Sequence, residues 1–408
     1  MINLSDLIIK LSDSKTLLMA NKARDLKAKG IKVYDFTIGE PDFNTPDNIK
    51  SFAKKSIDNN NTKYTSNEGT KRLREAITIF LKKEFDIDYD ISEVIVSTGA
   101  KQSIFNAIFS IINPGDEVII PAPFYVSYPE IISLAGGKSV FIKTNQNDGF
   151  KITPKKLEQA ITPRTKLFIL NNPCNPTGTT YNESELIELV EVLKSKNCYI
   201  LSDEIYHKLV YDNIRFVSFA YLAKEIKERV VLINGVSKTY AMTGWRIGFG
   251  AASREIIQAM NKIQSHSTNC ASSISQEAAY EAFSGPQESI KLIVEEFDKR
   301  RKYFYENLTK IDGISCFKST GAFYLFPDVS AYFGCKYKNK IIRDSDDFAE
   351  FLLDYANVAV VPGGASGEPK CVRISYATSF ENIVNGIEKI KEAINYLVET
   401  NNISINKN

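Results

Sequence analysis

Short apolar runs, each closed by Gly, Pro, Asn or Asp, recur along this chain with helix-patterned segments between them. They read V-I-V-S from Val94, V-I-I-P-A from Val118, S-V-F-I from Ser139, L-F-I-L-N from Leu167, Y-I-L-S-D from Tyr199 and V-V-L-I-N-G from Val230. None alternates polar with apolar residues, which is how strands covered on both faces appear. Amphipathic stretches such as E-S-E-L-I-E-L-V-E-V-L-K from Glu183 fill the gaps. The pattern predicts an α/β chain: a three-layer αβα sandwich around a mostly parallel central sheet.

At 408 residues the chain exceeds one ordinary core, so a smaller α+β domain is expected beside the sandwich. After about residue 285 the texture changes to a long charged helix pattern followed by the apolar runs A-F-Y-L-F from Ala322 and V-A-V-V-P-G from Val358. The expected division is an N-terminal segment, 1–38, joining the small domain, then a large domain, 39–287, and a small C-terminal domain, 288–408. No run is long and apolar enough to span a membrane, and the N-terminus lacks a leader pattern, so a mature cytoplasmic protein is expected.

In parallel sheets ligands gather beyond the carboxyl ends of the strands. Five consecutive strand ends carry the unusual residues: S-T-G-A-K from Ser97, P-A-P-F-Y from Pro121, N-N-P-C-N-P-T-G from Asn171, S-D-E-I-Y from Ser202 and N-G-V-S-K from Asn234. Basic residues number 51 and acidic ones 49, a balance too even to attract nucleic acid or a membrane surface. Six scattered cysteines without a C-x-x-C pair and only two histidines argue against a metal site or disulfide framework.

The strand ends supply particular chemistry. Lys238 follows a buried run and precedes a glycine turn, where a lowered pKa would make its amine a nucleophile toward carbonyls; by itself it is equally a helix-start lysine. Ser237 and Arg246 offer a hydroxyl and a guanidinium to a phosphate. Gly99, Ala100 and Lys101 open a helix whose free N–H groups suit the same anion, although any strand-to-helix turn can use a glycine. Asp203, a turn aspartate in the bland reading, can pair with a protonated ring nitrogen, and Tyr206 is expected on the same helix face three residues on. Asn175 sits in a tightly turned loop. Tyr125 can stack on a flat ring or fill the core. Arg373 interrupts a strand-like run and needs an anion, either a substrate carboxylate or an internal acid. Together these groups describe a pyridoxal phosphate enzyme acting on amino acids.

The motifs T-I-G-E-P-D-F from Thr37, G-A-K-Q from Gly99, Y-V-S-Y-P-E from Tyr125, N-N-P-C-N-P-T-G, S-D-E-I-Y, S-K-T-Y-A-M-T-G-W-R-I-G from Ser237, G-A-F-Y from Gly321 and V-R-I-S-Y-A from Val372 span nearly the whole chain. Through them it resembles the class I aminotransferases of fold type I, and most closely the bacterial-type aspartate aminotransferase subgroup. The resemblance implies that Lys238 holds pyridoxal 5'-phosphate in Schiff-base linkage and later acts as the general base. It implies that Asp203 meets the ring nitrogen, Asn175 and Tyr206 the ring hydroxyl, and Tyr125 the ring face. Ser237, Arg246 and the amides of Gly99, Ala100 and Lys101 would hold the phosphate, with Tyr64 reaching across from the second subunit of a homodimer. Arg373, Gly39 and Asn175 would bind the substrate α-carboxylate, while Lys101, Ser14 and Thr16 would receive a side-chain carboxylate.

The expected reaction is ping-pong amino transfer between aspartate or glutamate and 2-oxo acids, 2-oxoglutarate and oxaloacetate among them, with prephenate as a further acceptor. Two departures stand out. Tyr125 occupies a position where many relatives carry Trp, and Lys15 is bulkier than the small residue expected between Ser14 and Thr16. Aromatic or broad-range transamination, carbon–sulfur lysis and cyclopropane formation are the competing enzyme readings. A regulator sensing amino acids would add a DNA-binding domain, for which a fold signature starting near residue 35 leaves no room.

Overall fold

The computed structural model describes residues 5–9, 11 and 15–402. Its short first strand, Tyr34–Asp35 (β1), precedes the seven strands of the central sheet. These are Val94–Ser97 (β2), Glu117–Ala122 (β3), Lys138–Lys143 (β4), Thr165–Asn171 (β5), Tyr199–Asp203 (β6), Val230–Gly235 (β7) and Gly248–Ala251 (β8), in the order β2-β8-β7-β6-β5-β3-β4. All pairings are parallel except those of β8, which runs antiparallel to both β2 and β7.

Strand periodicity sorts the core into two layers. Val94, Val96, Ile119, Phe168, Leu170 and Leu232 face one set of helices, where Leu73, Ile77, Leu189 and Leu193 pack. Ile95, Val118, Ile120, Ile169 and Ile233 face the other, against Ile104, Ile108, Ile132 and Met260. Each such side chain, fully withdrawn from water, contributes about 1.5–3 kcal/mol. The helix read from the sequence at Glu183 spans Glu183–Lys194 and starts with a capping box. There Asn182 Oδ1 accepts from Glu185 N at 2.9 Å, and the Glu185 carboxylate accepts from Asn182 N at 2.7 Å.

Two sheet features differ from the expectation. β4 is not covered on both faces: it is the last strand at the sheet edge, and Phe141 and Lys143, which share one face, are exposed, as is Lys138 at its start. β8 is hidden in the sequence because G-F-G-A has low strand propensity. Gly248 is required there by close approach, as a Cβ at that position would come within 2.1 Å of Ala100 N.

A third core joins the two ends of the chain. Met19 and Ala23 pack with Phe297, Phe304, Phe323, Ile374 and Ile387, and β1 pairs in parallel with Val358–Ala359 (β12). Tyr324–Leu325 (β9), Val361–Pro362 (β13) and Val372–Ser375 (β14) form an antiparallel sheet with β14 in the centre, beside a hairpin of Lys336–Tyr337 (β10) and Lys340–Ile341 (β11). Among the described residues no helix is long and apolar enough to cross a membrane.

Candidate active site

The strand ends and the third core meet at a cavity of about 710 Å³. Gly39, Ala100, Lys101, Tyr125, Asn175, Asp203, Tyr206, Ser237, Lys238, Arg246 and Arg373 all line it. Residues dispersed over most of the chain therefore converge because the parallel strands end on one side.

Asp203, the last residue of β6, is buried at the base. Its Oδ2 accepts from Tyr128 Oη at 2.7 Å and its Oδ1 from Ile205 N at 3.3 Å. Burial pushes its carboxyl up to about 6, against the opposing pull of the Tyr128 hydroxyl, the Ile205 amide and the charge of Lys238. Lys238 lies in a turn after β7, and its Nζ donates to Gly39 O at 2.6 Å. Burial, joined by the charges of Arg373 and Arg246, brings its ammonium down to about 8 against the opposing pull of Glu40 and Asp203. Such an amine is unprotonated to a useful extent near neutrality, as nucleophilic chemistry requires.

One end of the cavity is suited to a phosphate. Arg246 adopts a left-handed conformation at φ 55°, and its guanidinium donates to Thr243 O at 2.9 Å and Thr98 O at 3.5 Å. It lies across Gly99, where a Cβ would come within 2.4 Å of Nη2, and Gly99 itself has φ 84°. The helix Ala100–Ile111 starts there, so its first-turn N–H groups have no partners within the helix.

At the other end Arg373 is buried in β14. Nη2 donates to Thr37 O at 2.7 Å, Nη1 to Asn175 Oδ1 at 3.2 Å, and the guanidinium stands 4.6 Å from the Tyr324 ring centroid. The internal acid that the sequence left open is not there: among the described residues no carboxylate lies within ion-pair distance of Arg373, and its buried Nε has no hydrogen-bond partner. An uncompensated buried charge costs several kcal/mol, which makes this a seat for an anionic ligand.

One expectation changes in detail. Tyr206 is not on a helix with Asp203; it lies in a turn after the strand and meets Tyr324 Oη at 3.0 Å. Tyr64 is 88 % exposed and does not line the cavity of its own chain. The Lys101 side chain is exposed, with Nζ 5.5 Å from the Tyr125 ring centroid. The Ser14 and Thr16 side chains lie outside the described residues. Sequence reading overlooked Tyr128 and Tyr324, both inside quoted motifs, because tyrosines beside apolar residues read as core. Trp245, also inside a quoted motif, donates from Nε1 to Thr45 Oγ1 at 2.9 Å and ties the segment carrying Gly39 to the turn carrying Lys238.

The sequence profile described as "Aminotransferase class I and II" matches residues 31–390. The chain belongs to this aminotransferase family. It is a transaminase. A probable aspartate/prephenate aminotransferase of Rickettsia bellii is 47% identical over 383 residues, covering 93% of this chain and 96% of that one. An aspartate aminotransferase of Geobacillus stearothermophilus is 45% identical over 386 residues, covering 94% and 96%. Among solved structures, the aspartate aminotransferase of Rhizobium meliloti superposes with a TM-score of 0.93 at 41% identity, covering 97% of this chain and all of that one. The α/β sandwich is thus the aminotransferase fold, fold type I.

Proposed function

We propose that this transaminase uses pyridoxal 5'-phosphate to exchange the amino group of aspartate or glutamate with 2-oxo acids, among them 2-oxoglutarate and oxaloacetate. The observation that carries this reading is a single cavity in which a lysine amine brought down to about 8 shares space with buried Asp203 and a buried arginine lacking an acid partner. The relatives named for aspartate and prephenate support the dicarboxylic substrate and add prephenate as an acceptor.

The donor set fits the cofactor. Arg246, Ser237 and the N–H groups of Ala100 and Lys101 would hold its phosphate, Gly99 leaving room for close approach. Asp203 would hold a proton on the ring nitrogen, Asn175 and Tyr206 would donate to the ring hydroxyl, and Tyr125 would cover the ring face. Bound pyridoxal phosphate supplies an aldehyde for amines and a ring that accepts an electron pair.

This chain's residues do the rest. Arg373, with Gly39 and Asn175, holds the α-carboxylate and so fixes the substrate α-carbon. Lys238 takes the α-proton in its unprotonated form and returns a proton as the ammonium. Asp203, charged above its pKa, keeps a positive partner beside it. The second keto acid then runs the sequence in reverse, giving ping-pong kinetics.

The exposed Tyr64 fits a homodimer in which each subunit completes its partner's site. The division into 1–38, 39–287 and 288–408 is supported by the core that Met19 and Ala23 share with Phe297 and Ile374, to which Ile205 and Leu209 of the large domain also contribute. Six free cysteines accord with a cytoplasmic setting. The test is a half-reaction: the cofactor-loaded protein is mixed with one amino acid and no keto acid, and its absorbance is followed. Aspartate and glutamate should convert it to the amine form. Conversion by phenylalanine alone would replace the dicarboxylate reading with an aromatic one.

A further inference from the structure

The helix Lys15–Ala28 presents two faces. Met19, Ala23 and Leu26, spaced by four and three, pack into the core of the small domain. Leu17, Ala20, Arg24 and Lys27, spaced by three and four, face the cavity. The helix is therefore a wall of the site as well as a support for it.

The two cations on that wall are not equivalent. Lys27 Nζ is 2.8 Å from Asp35 Oδ2, so its charge is matched by an acid that also accepts from Thr37 N and Oγ1. Among the described residues Arg24 donates only to its helix neighbour Asn21, at 3.1 Å, and no carboxylate lies within ion-pair distance of it. Arg24 is exposed, so water meets the rest of its donor fork, and an incoming carboxylate can replace that water.

Its wall is also the wall of Arg373. β13 contacts the helix Lys15–Ala28 and pairs with β14, Val361 standing opposite Arg373, and Val361 lines the same cavity. Arg246 stands at the other end, beside Thr98 and Gly99. With Arg246 and Arg373 assigned under the proposed function, Arg24 is an additional guanidinium facing the cavity without a matching acid.

We propose that Arg24 determines specificity by binding the second carboxylate of a dicarboxylic amino acid or keto acid whose first carboxylate is held by Arg373. The proposal rests on the transaminase reading above and names a residue that the sequence left unassigned. It gives the substrate class a physical cause: two guanidinium groups on one wall match two carboxylates, and an acid with an apolar side chain would leave Arg24 unmatched. Lys101, from the opposite part of the chain, adds charge at the mouth without the fork geometry.

The test uses cofactor-loaded wild type, Arg24→Gln and Arg24→Lys, with two readouts. Calorimetric titration with succinate, which has two carboxylates and no amino group, should give roughly tenfold weaker binding to Arg24→Gln, equivalent to about 1.4 kcal/mol. Half-reactions should show a similar rise in half-saturating aspartate, with alanine changed much less, and Arg24→Lys should recover part of the loss. Equal loss with aspartate and alanine, or unchanged succinate affinity in Arg24→Gln, overturns the proposal. A wild type that converts alanine but neither aspartate nor glutamate also overturns it, while leaving amino transfer itself standing.

Discussion

Tyr128 Oη donates to Asp203 Oδ2 at 2.7 Å, and both groups are buried at the base of the cavity. The bond favours the carboxylate form of an aspartate that burial drives toward neutrality. Tyr128 is thus a positioning residue for the group proposed to face the cofactor ring. Tyr128→Phe removes one hydrogen bond to a buried charge, worth about 1.5–3 kcal/mol. Cofactor affinity should fall by roughly tenfold. Its acid-side loss should also move upward from pH 6, because the Asp203 carboxyl without that donor holds its proton longer. A fluorescence titration across pH reads both, and a purely structural role would leave the midpoint of the profile in place.

Lys238 provides a pH test with a defined sign. Since the amine reacts only when unprotonated, attachment to pyridoxal phosphate should speed up with pH and level off near 8. Lys238→Ala should form no Schiff base. In the cofactor-free protein the same depressed pKa lowers stability below pH 8, because the unfolded chain binds a proton that the fold disfavours. Stability should therefore rise between about 8 and the ordinary lysine value, and Lys238→Met should melt higher than wild type at pH 7, with the gap closing as pH rises.

Gly248 and Gly244 form a matched pair in the same turn region. A Cβ at Gly248 meets the backbone of Ala100 at 2.1 Å, whereas nothing lies within 4 Å of one at Gly244. Gly248→Ala must displace β8 from the start of the helix Ala100–Ile111, so stability should drop by about 1–3 kcal/mol and cofactor binding should weaken with it. Gly244→Ala should leave both nearly unchanged. Thermal melts of the two variants beside a cofactor titration check the contrast.

Glu204 points away from the cavity. Its Oε1 accepts from Ser202 Oγ at 2.8 Å, Ser218 Oγ at 3.0 Å and Phe219 N at 2.9 Å, while its buried Oε2 has no hydrogen-bond partner. Burial pushes the carboxyl up to about 7. The folded state then keeps a proton that the unfolded chain has released, so stability falls as pH rises from the ordinary glutamate value to about 7, by on the order of 3 kcal/mol. Glu204→Gln should flatten that slope in denaturant titrations from pH 5 to 8; an unchanged slope would count against the assignment.

Legibility of the fold followed burial. β3, β5, β6 and β7 were readable because a strand covered on both faces must be apolar throughout. β4 was misjudged because its apolar residues look the same whether or not a neighbour covers them. β8 was missed because two of its four residues are glycines, one of them imposed by a helix start about 150 positions earlier in the chain. The candidate site was legible where a residue type was out of place, as with Lys238 after an apolar strand or Arg373 inside one. Tyr128 and Arg24 gave no such signal, since a tyrosine near a core and an arginine on a helix are ordinary.

The strand-and-helix alternation, the strand ends that carry polar groups and the residue types gathered there follow from the order of residues alone, because periodicity and local chemistry are properties of neighbouring residues. Which of those groups are charged, matched or free depends on the folded chain. Burial depends on packing from distant segments, and so it was the fold that raised Asp203, lowered Lys238, left Arg373 without an acid and paired Lys27 with Asp35 while leaving Arg24 open to the cavity.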